Sequence, residues 1–221
     1  AAHCRHSTEE HSSHGPGTRQ PVKTRLPPQE DRTNGWSAIL KERQPRSPLT
    51  QPTKAHWLVI GAGFAGLGAA RRLAQLRPND TVLVLEAGTV GENASGRNSG
   101  FAIDVPHNVG SSMTELRQAG VYKRLLASGL SSLETAVRTH GIECDWHRSG
   151  KYHCAASAHT ARRTLQRHAS ELQAMGEEFS VLDREALAAR IGTSYFHSGI
   201  YTPGCVLLNP AALVRGLADT L

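Results

Sequence analysis

The chain has 221 residues, 38% of them hydrophobic, with 25 Lys and Arg against 19 Asp and Glu, a formal net charge of +6 and a sequence pI near 9.5. That length and apolar content suffice for one sizeable core and exclude a chain dominated by disorder. The basic residues are scattered and interleaved with acidic ones, without the basic stripe and alternating aromatics of a nucleic-acid surface, so nucleic acid is excluded as a partner.

No apolar run reaches the length that a bilayer crossing needs. Cys4, Cys144, Cys154 and Cys205 form no Cys-x-x-Cys pair and follow no secretory signal, which fits a reduced, cytoplasmic setting. The chain begins with Ala1 and stops inside a helical pattern, so it reads as part of a longer protein.

Residues 1–33 hold few large apolar groups among many His, Ser, Pro and charged residues and cannot offset the entropy of ordering, so a disordered tail is expected. His3, His6, His11 and His14 form two His-x-x-His pairs beside Cys4. Without a folded frame they read as a solvated leader, and no metal site is expected. Residues 34–55 place Trp36, Ile39, Leu40 and Leu49 between prolines, the pattern of an extended arm lying on a domain surface.

HWLVI, ending at Ile60, is a short apolar run stopped by glycine and predicts a buried parallel strand. Phe64, Leu67, Ala70 and Ala74 then recur at helical spacing, with Arg71, Arg72 and Gln75 opposite, which predicts a helix from about Gly63 to Leu76. Arg77, Pro78, Asn79 and Asp80 stop it. TVLVLEA is a second continuous apolar strand, completing a right-handed βαβ unit. GTVGENASGRNSGFAIDVPHNV follows as a long loop without periodicity, of the kind that is usually functional. Helical patterns come next at about Ser111–His140, Ala158–Met175 and Asp183–Ile191, separated by the strand-like pieces KYHCAA, FSVL and YFHSGIYT. Asn209 caps a last helix with Pro210 at its first position.

The glycines of GAGFAG carry the chemistry. Gly61 permits the turn from strand to helix, Gly63 lets backbone approach a pyrophosphate, and Gly66 lets the helix pack closely on the strand. The helix N-terminus at Phe64, Ala65 and Gly66 offers N–H groups and the positive end of its dipole to phosphates. Glu86 lies at the carboxyl end of the second strand, with Ala87 after it, where a carboxylate accepts hydrogen bonds from ribose hydroxyls. Its charge repels a ribose 2′-phosphate, which argues against NADP. A nicotinamide enzyme usually continues with further βα units, whereas here the glycine-rich loop follows.

The set GAGFAGLGAARRLA, LEAG and ASGRNSGF resembles the FAD-dependent amine and amino-acid oxidoreductases of the D-amino-acid oxidase superfamily, most of all the γ-glutamylputrescine oxidase-like branch, in which the arm GWSAIL also has a counterpart. The resemblance runs from Asn34 to Leu221 and is strongest between Trp57 and His107. It implies FAD as the cofactor, an amine or amino acid as the small-molecule substrate, and hydride transfer from the carbon beside nitrogen to flavin N5, with hydrolysis of the resulting imine. It also implies that Ser95, Arg97, Asn98, Ser99 and Gly100 run along the pyrophosphate toward the flavin ring, Arg97 supplying positive charge. It assigns no catalytic residue; Asp104 and His107 read as structural.

The implied architecture is α/β, a Rossmann-like FAD-binding βαβ domain over residues 56–110 followed over 111–221 by part of an α+β substrate domain, truncated before the family's further flavin contacts. The chain alone is therefore expected to be inactive. Two other readings stand beside this one: a non-catalytic dinucleotide-binding fragment, and an NAD-dependent dehydrogenase.

Overall fold

The structure, a computed structural model, describes residues 33–105 and 113–221, and only the backbone over 113–118. The His-rich leader and His107 lie outside the described residues.

A single helical turn, α1 (Gly35–Ala38), opens the arm, capped by the Asn34 side chain, which accepts from Trp36 N–H. The rest of the arm runs without regular structure to β1 (Trp57–Ile60). β1 pairs in parallel with β2 (Val82–Leu85), from Trp57 opposite Val82 to Ile60 opposite Leu85. Between them lies α2 (Phe64–Leu76), so the βαβ unit forms as its apolar periods predict. The expected stop is equally direct: Arg77 ends the helix, and Asp80 accepts from both Arg77 Nε and the Trp57 indole N–H.

Two expectations here need correction. β1 is not buried, since Leu58 is 57% and Ile60 81% exposed. Side chains alternate across a strand, and Val59, on the other face, is the one that meets α2 at Gly66. Among the described residues nothing covers the Leu58 and Ile60 face, and a parallel strand is buried only when both faces are covered. On α2, Leu67 and Ala70 are buried as expected but Ala74 is exposed. Arg71 is instead half-buried, donating to Thr220 Oγ1 and lying 2.8 Å from His140 Nε2.

The glycine-rich loop is also more ordered than its lack of periodicity suggests. It contains the turn α3 (Ala94–Arg97) and the short strand β3 (Phe101–Ala102), which pairs antiparallel with β7 (Val206–Leu207) across the chain. Its partner lies too far along the sequence for local pattern to reveal it.

After the loop, α4 (Met113–His140) spans 28 residues. β4 (Lys151–Ala155), β5 (Ser180–Leu182) and β6 (Ser198–Thr202) form an antiparallel sheet with β6 in the middle. The predicted helix over 158–175 is present as α5 (Ala158–Thr160), a π-helical turn at Ala161–Leu165, and α6 (Gln166–Ala174). α7 (Arg184–Ile191) is capped by Asp183, which accepts from Ala186 N–H, and is ended by Gly192 at φ +74°. α8 (Pro210–Asp219) begins as predicted, with Asn209 Oδ1 accepting from Ala212 N–H.

Two apolar clusters hold these pieces. The larger joins Ala62 and Leu67 of the βαβ unit to Leu130 and Val137 of α4 and to Leu213, Val214 and Leu217 of α8. The smaller packs Leu165 and Leu172 against Ala155 and Ile200 of the antiparallel sheet and Val105 of the segment after β3. α8 thus lies against the glycine turn and fixes it relative to the second half of the chain. Among the described residues no helix is long and apolar enough to cross a membrane.

The closest fit in the βαβ unit is at Gly66, where an added Cβ would stand 1.9 Å from Gly61 O and 3.3 Å from Val59 Cγ1. Gly68, on the same helix, has open space. Gly66→Ala must therefore open the turn and costs about 1–3 kcal/mol or more, whereas Gly68→Ala stabilises by up to ~1 kcal/mol through helix propensity alone. Urea denaturation of the two variants should show opposite signs; equal midpoints contradict the packing.

Candidate functional site

The site forms where β1 ends, α2 begins and β2 ends. Gly61 has φ +98°, a left-handed value that favours glycine, and its N–H donates to Leu85 O at 2.7 Å, tying the turn to the neighbouring strand. Gly63 is the extended residue before α2, with no cap from its own side chain. The helix then starts with Phe64, Ala65 and Gly66, and the first N–H groups of a helix have no partner within it. One of them is satisfied from outside, since Phe64 N–H donates to Ser95 Oγ at 3.1 Å. The same hydroxyl stands 2.8 Å from where a Cβ on Gly63 would be. The predicted loop residue Ser95 therefore does meet the predicted glycine turn.

Glu86 reaches back over this turn. Its Oε2 accepts from Ala62 N–H at 2.7 Å and its Oε1 from Gly88 N–H at 3.0 Å. A carboxylate has about four acceptor positions, so each oxygen retains capacity for a hydroxyl donor. Ala87, beside it, is exposed. Ala62 is the residue here that sequence reasoning passed over, because its contribution is a backbone N–H.

The loop from Gly91 repeats the construction of the first turn. Gly91 has φ +93° and Gly96 stands to it as Gly66 stands to Gly61: an added Cβ on Gly96 would come 1.9 Å from Gly91 O. The signal lay in the sequence as a second pair of glycines at the same spacing, with a helical turn starting in the same place between them. Arg97, Asn98 and Ser99 are exposed beyond it. Asn98 folds its side chain back, donating to Ser95 O at 2.8 Å and accepting from Gly100 N–H at 2.9 Å. Gly100, at φ +77°, is pressed against Leu208 O, 2.3 Å from its absent Cβ.

A cavity of about 450 Å³ opens beside Glu86, between Leu83–Leu85 of β2 and arm residues 43–49, with Thr89 and Val90 at its rim. Its walls are largely apolar, with Glu86, Arg43 and Arg46 as the charged groups, the usual makings of a small-molecule site. The donor set fits a dinucleotide: a cradle too close for a Cβ at Gly63 or Gly66, helix N–H groups, and an acceptor carboxylate at the adjacent strand end.

Asp104 lies elsewhere. Its Oδ2 occupies the space over Gly204, 1.7 Å from an added Cβ, and its Oδ1 is buried without a partner among the described residues, as are Lys151 Nζ and Thr202 Oγ1. Burial holds the Lys151 ammonium below the ordinary lysine range, against the opposing charge of Asp104. Cys144, Cys154 and Cys205 are free thiols, and burial pushes that of Cys144 up to about 11. Trp146 packs at the edge of the larger core, and His147 enters through its backbone, bridged to Leu207.

The chain is 27% identical over 175 residues to a probable oxidoreductase OrdL of Haemophilus influenzae, covering 77% of this chain and 40% of that protein. It is 22% identical over 198 residues to the γ-glutamylputrescine oxidoreductase of Escherichia coli, covering 87% and 45%. The fold matches glycine oxidase from Geobacillus kaustophilus with a TM-score of 0.59 at 22% identity, over 74% of this chain and 43% of that one. The chain thus spans less than half the length of these relatives. Residues 56–221 match the family of FAD dependent oxidoreductases of the DAO type, and with the glycine turn, the Glu86 carboxylate and the second glycine turn all in place, the chain belongs to that family, whose cofactor is FAD and not a nicotinamide.

Proposed function

We propose that this chain carries the FAD-binding part of an oxidoreductase acting on the C–N bond of a small amine or amino acid. The observation that carries the reading is the Glu86 carboxylate bound to Ala62 N–H across a turn in which Gly61 holds a left-handed φ of +98° and Gly66 has no room for a Cβ. Relatives point to the substrate class, among them the γ-glutamylputrescine oxidoreductase and the glycine oxidase.

In this reading Gly61, Gly63, Phe64, Ala65 and Gly66 hold the pyrophosphate by backbone N–H groups and the helix dipole. Glu86 and Ala87 hold the ribose of the AMP half, which enters the cavity beside β2. Ser95, Arg97, Asn98, Ser99 and Gly100 lead toward the ring. Ser95 has a double task, since its hydroxyl now satisfies Phe64 N–H and can turn to donate to a phosphate oxygen. Arg97, exposed on the loop, offsets the phosphate charge. FAD, when bound, would supply the hydride acceptor for oxidising the carbon beside the amine nitrogen to an imine, which water would hydrolyse. Residues 56–110 form the nucleotide-binding unit and 111–221 lead into the substrate domain.

The direct test is to purify the full-length protein, release any yellow chromophore by heat and identify it, then mix the holoprotein anaerobically with candidate amines and follow loss of the visible flavin absorption. FAD released and bleaching with an amine support the reading; a protein that takes up no FAD sinks it. Glu86→Gln removes the charge and sets an amide N–H₂ against one of two backbone donors, so FAD affinity should fall by on the order of 1–2 kcal/mol, roughly 5–30-fold in Kd. Fluorescence titration of the apoprotein reads it, and an unchanged Kd removes Glu86 from the site. Arg97→Met should weaken FAD retention or slow flavin reduction through loss of counter-charge. Wild-type flavin content together with wild-type reduction kinetics leaves Arg97 a surface cation.

A further inference from the structure

The arm ahead of β1 makes a set of contacts that the dinucleotide reading does not use. Asn34 is buried, 5% exposed, and its side chain works in two directions. Its Oδ1 accepts from Trp36 N–H at 3.1 Å, an ordinary helix cap. Its Nδ2 donates to Gly96 O at 2.9 Å and to Gly91 O at 3.2 Å, the carbonyls at the two ends of the second glycine turn. Two residues on, the Trp36 indole N–H donates to Asn98 O at 2.9 Å, and its ring lies 3.2 Å from the position of a Cβ on Gly100. The arm therefore grips the loop at Gly91, Gly96, Asn98 and Gly100.

We infer that Asn34 and Trp36 are positioning residues for the FAD loop, holding Ser95 and Arg97 at the height at which they meet the cofactor. The inference rests on the proposed placement of FAD along residues 95–100. A loop of this kind is under-determined by its own contacts. α3 has four residues, too few to be stable alone, and three residues beyond the turn are exposed. Without the arm, Gly91 O and Gly96 O lose a buried donor, and a buried acceptor left unmade is costly. The loop then samples positions in which Ser95 Oγ no longer faces α2, and the binding-competent fraction falls with a matching fall in apparent affinity. Asn34 and Trp36 make none of these contacts with Glu86 or the first glycine turn, so their effect on FAD passes through the loop, apart from that of arm residues 43–49, which line the cavity.

The two directions of the Asn34 side chain make the inference separable from simple capping. Asn34→Asp keeps an acceptor for Trp36 N–H, and aspartate is as good a cap as asparagine, but it removes both donors and sets a carboxylate against two carbonyls. Trp36→Phe keeps the ring over Gly100 and removes only the donor to Asn98 O. FAD is titrated by fluorescence into the full-length apoprotein of each variant, alongside Glu86→Gln, with apoprotein melting recorded in parallel. Asn34→Asp should raise the FAD Kd about tenfold or more and lower melting as well, and Trp36→Phe, which loses one exposed hydrogen bond, should raise Kd by a smaller factor with little change in melting. Asn34→Ala, which loses cap and staple together, should match Asn34→Asp in Kd and fall below it in melting. A wild-type Kd for Asn34→Asp while Glu86→Gln is weakened overturns the staple and leaves Asn34 a cap. A wild-type Kd in all of the variants overturns the FAD placement and the staple with it. Weakened FAD binding in strict proportion to lost melting temperature overturns the positioning role in favour of a general structural one.

Discussion

Everything at the site depends on the approach of one backbone segment to another without a side chain between them. Gly66 lies so close to Gly61 O that a single methyl group would overlap it. The approach brings the first turn of α2 down onto the strand end and aims its N–H groups over the edge of the sheet. It also brings Ala62 N–H within reach of Glu86 on the neighbouring strand. A larger residue at Gly66 would lift the helix and break that hydrogen bond, whereas at Gly61 the cost would be the left-handed backbone and not a clash.

The second glycine turn shows that this is a construction and not a property of one motif. Gly91 and Gly96 reproduce the left-handed φ of Gly61, +93° against +98°, and the carbonyl contact of Gly66, 1.9 Å in both turns. The two turns then meet, Ser95 from the second supplying the acceptor for Phe64 N–H from the first. A helix start in one segment thus has its orphan donor satisfied by the helix turn of another. Leu213, Val214 and Leu217 of α8 pack in one apolar cluster with Ala62 of the first turn and Leu67 of α2. Such packing is the rigid support that a preorganised site requires.

How much of this can be read in the sequence follows from the range of the interactions. The βαβ unit, the Asn209 cap and the helix pattern from 158 to 175 are set by residues a few positions apart and were legible, whereas the Asn34-capped turn at Gly35–Ala38 was not, the arm having been read as extended. So was the identity of Glu86 as the acidic residue at the strand end, although its contacts with Ala62 and Gly88 were not, because backbone donors carry no residue signature. β3 needed Val206 and Leu207, and the order of the loop needed Asn34, Trp36 and Arg215, each far away in the chain. The apolar run WLVI correctly marked a parallel strand and misled about burial, since hydrophobicity records what a strand is suited to face and not what the described residues place against it. The opposite error occurred at Arg71, whose charge suggested solvent while its long side chain reaches Thr220 along the surface of α8.

The two ends of the loop system are anchored by ion pairs of different kinds, and the difference orders the whole assembly. Arg43 binds Asp219 through both guanidinium nitrogens, but the Asp219 side chain is 54% exposed, and pairs of that kind are worth about 0–1 kcal/mol. Arg215 and Glu92 are 10% and 12% exposed, joined at 2.7 Å directly under Gly91. A buried pair adds little net stability over apolar packing, yet removal of one partner costs about 3–5 kcal/mol because the other charge stays buried. What such a pair supplies is register: Arg215 on α8 admits one position for Glu92, and hence one position for the Gly91 turn. The same guanidinium donates to Lys41 O, so the arm is indexed to the same point. α8 therefore sets where the loop starts, the arm sets the course it takes from there, and the exposed Arg43 latch is the weakest of the three and the first to yield when the arm moves.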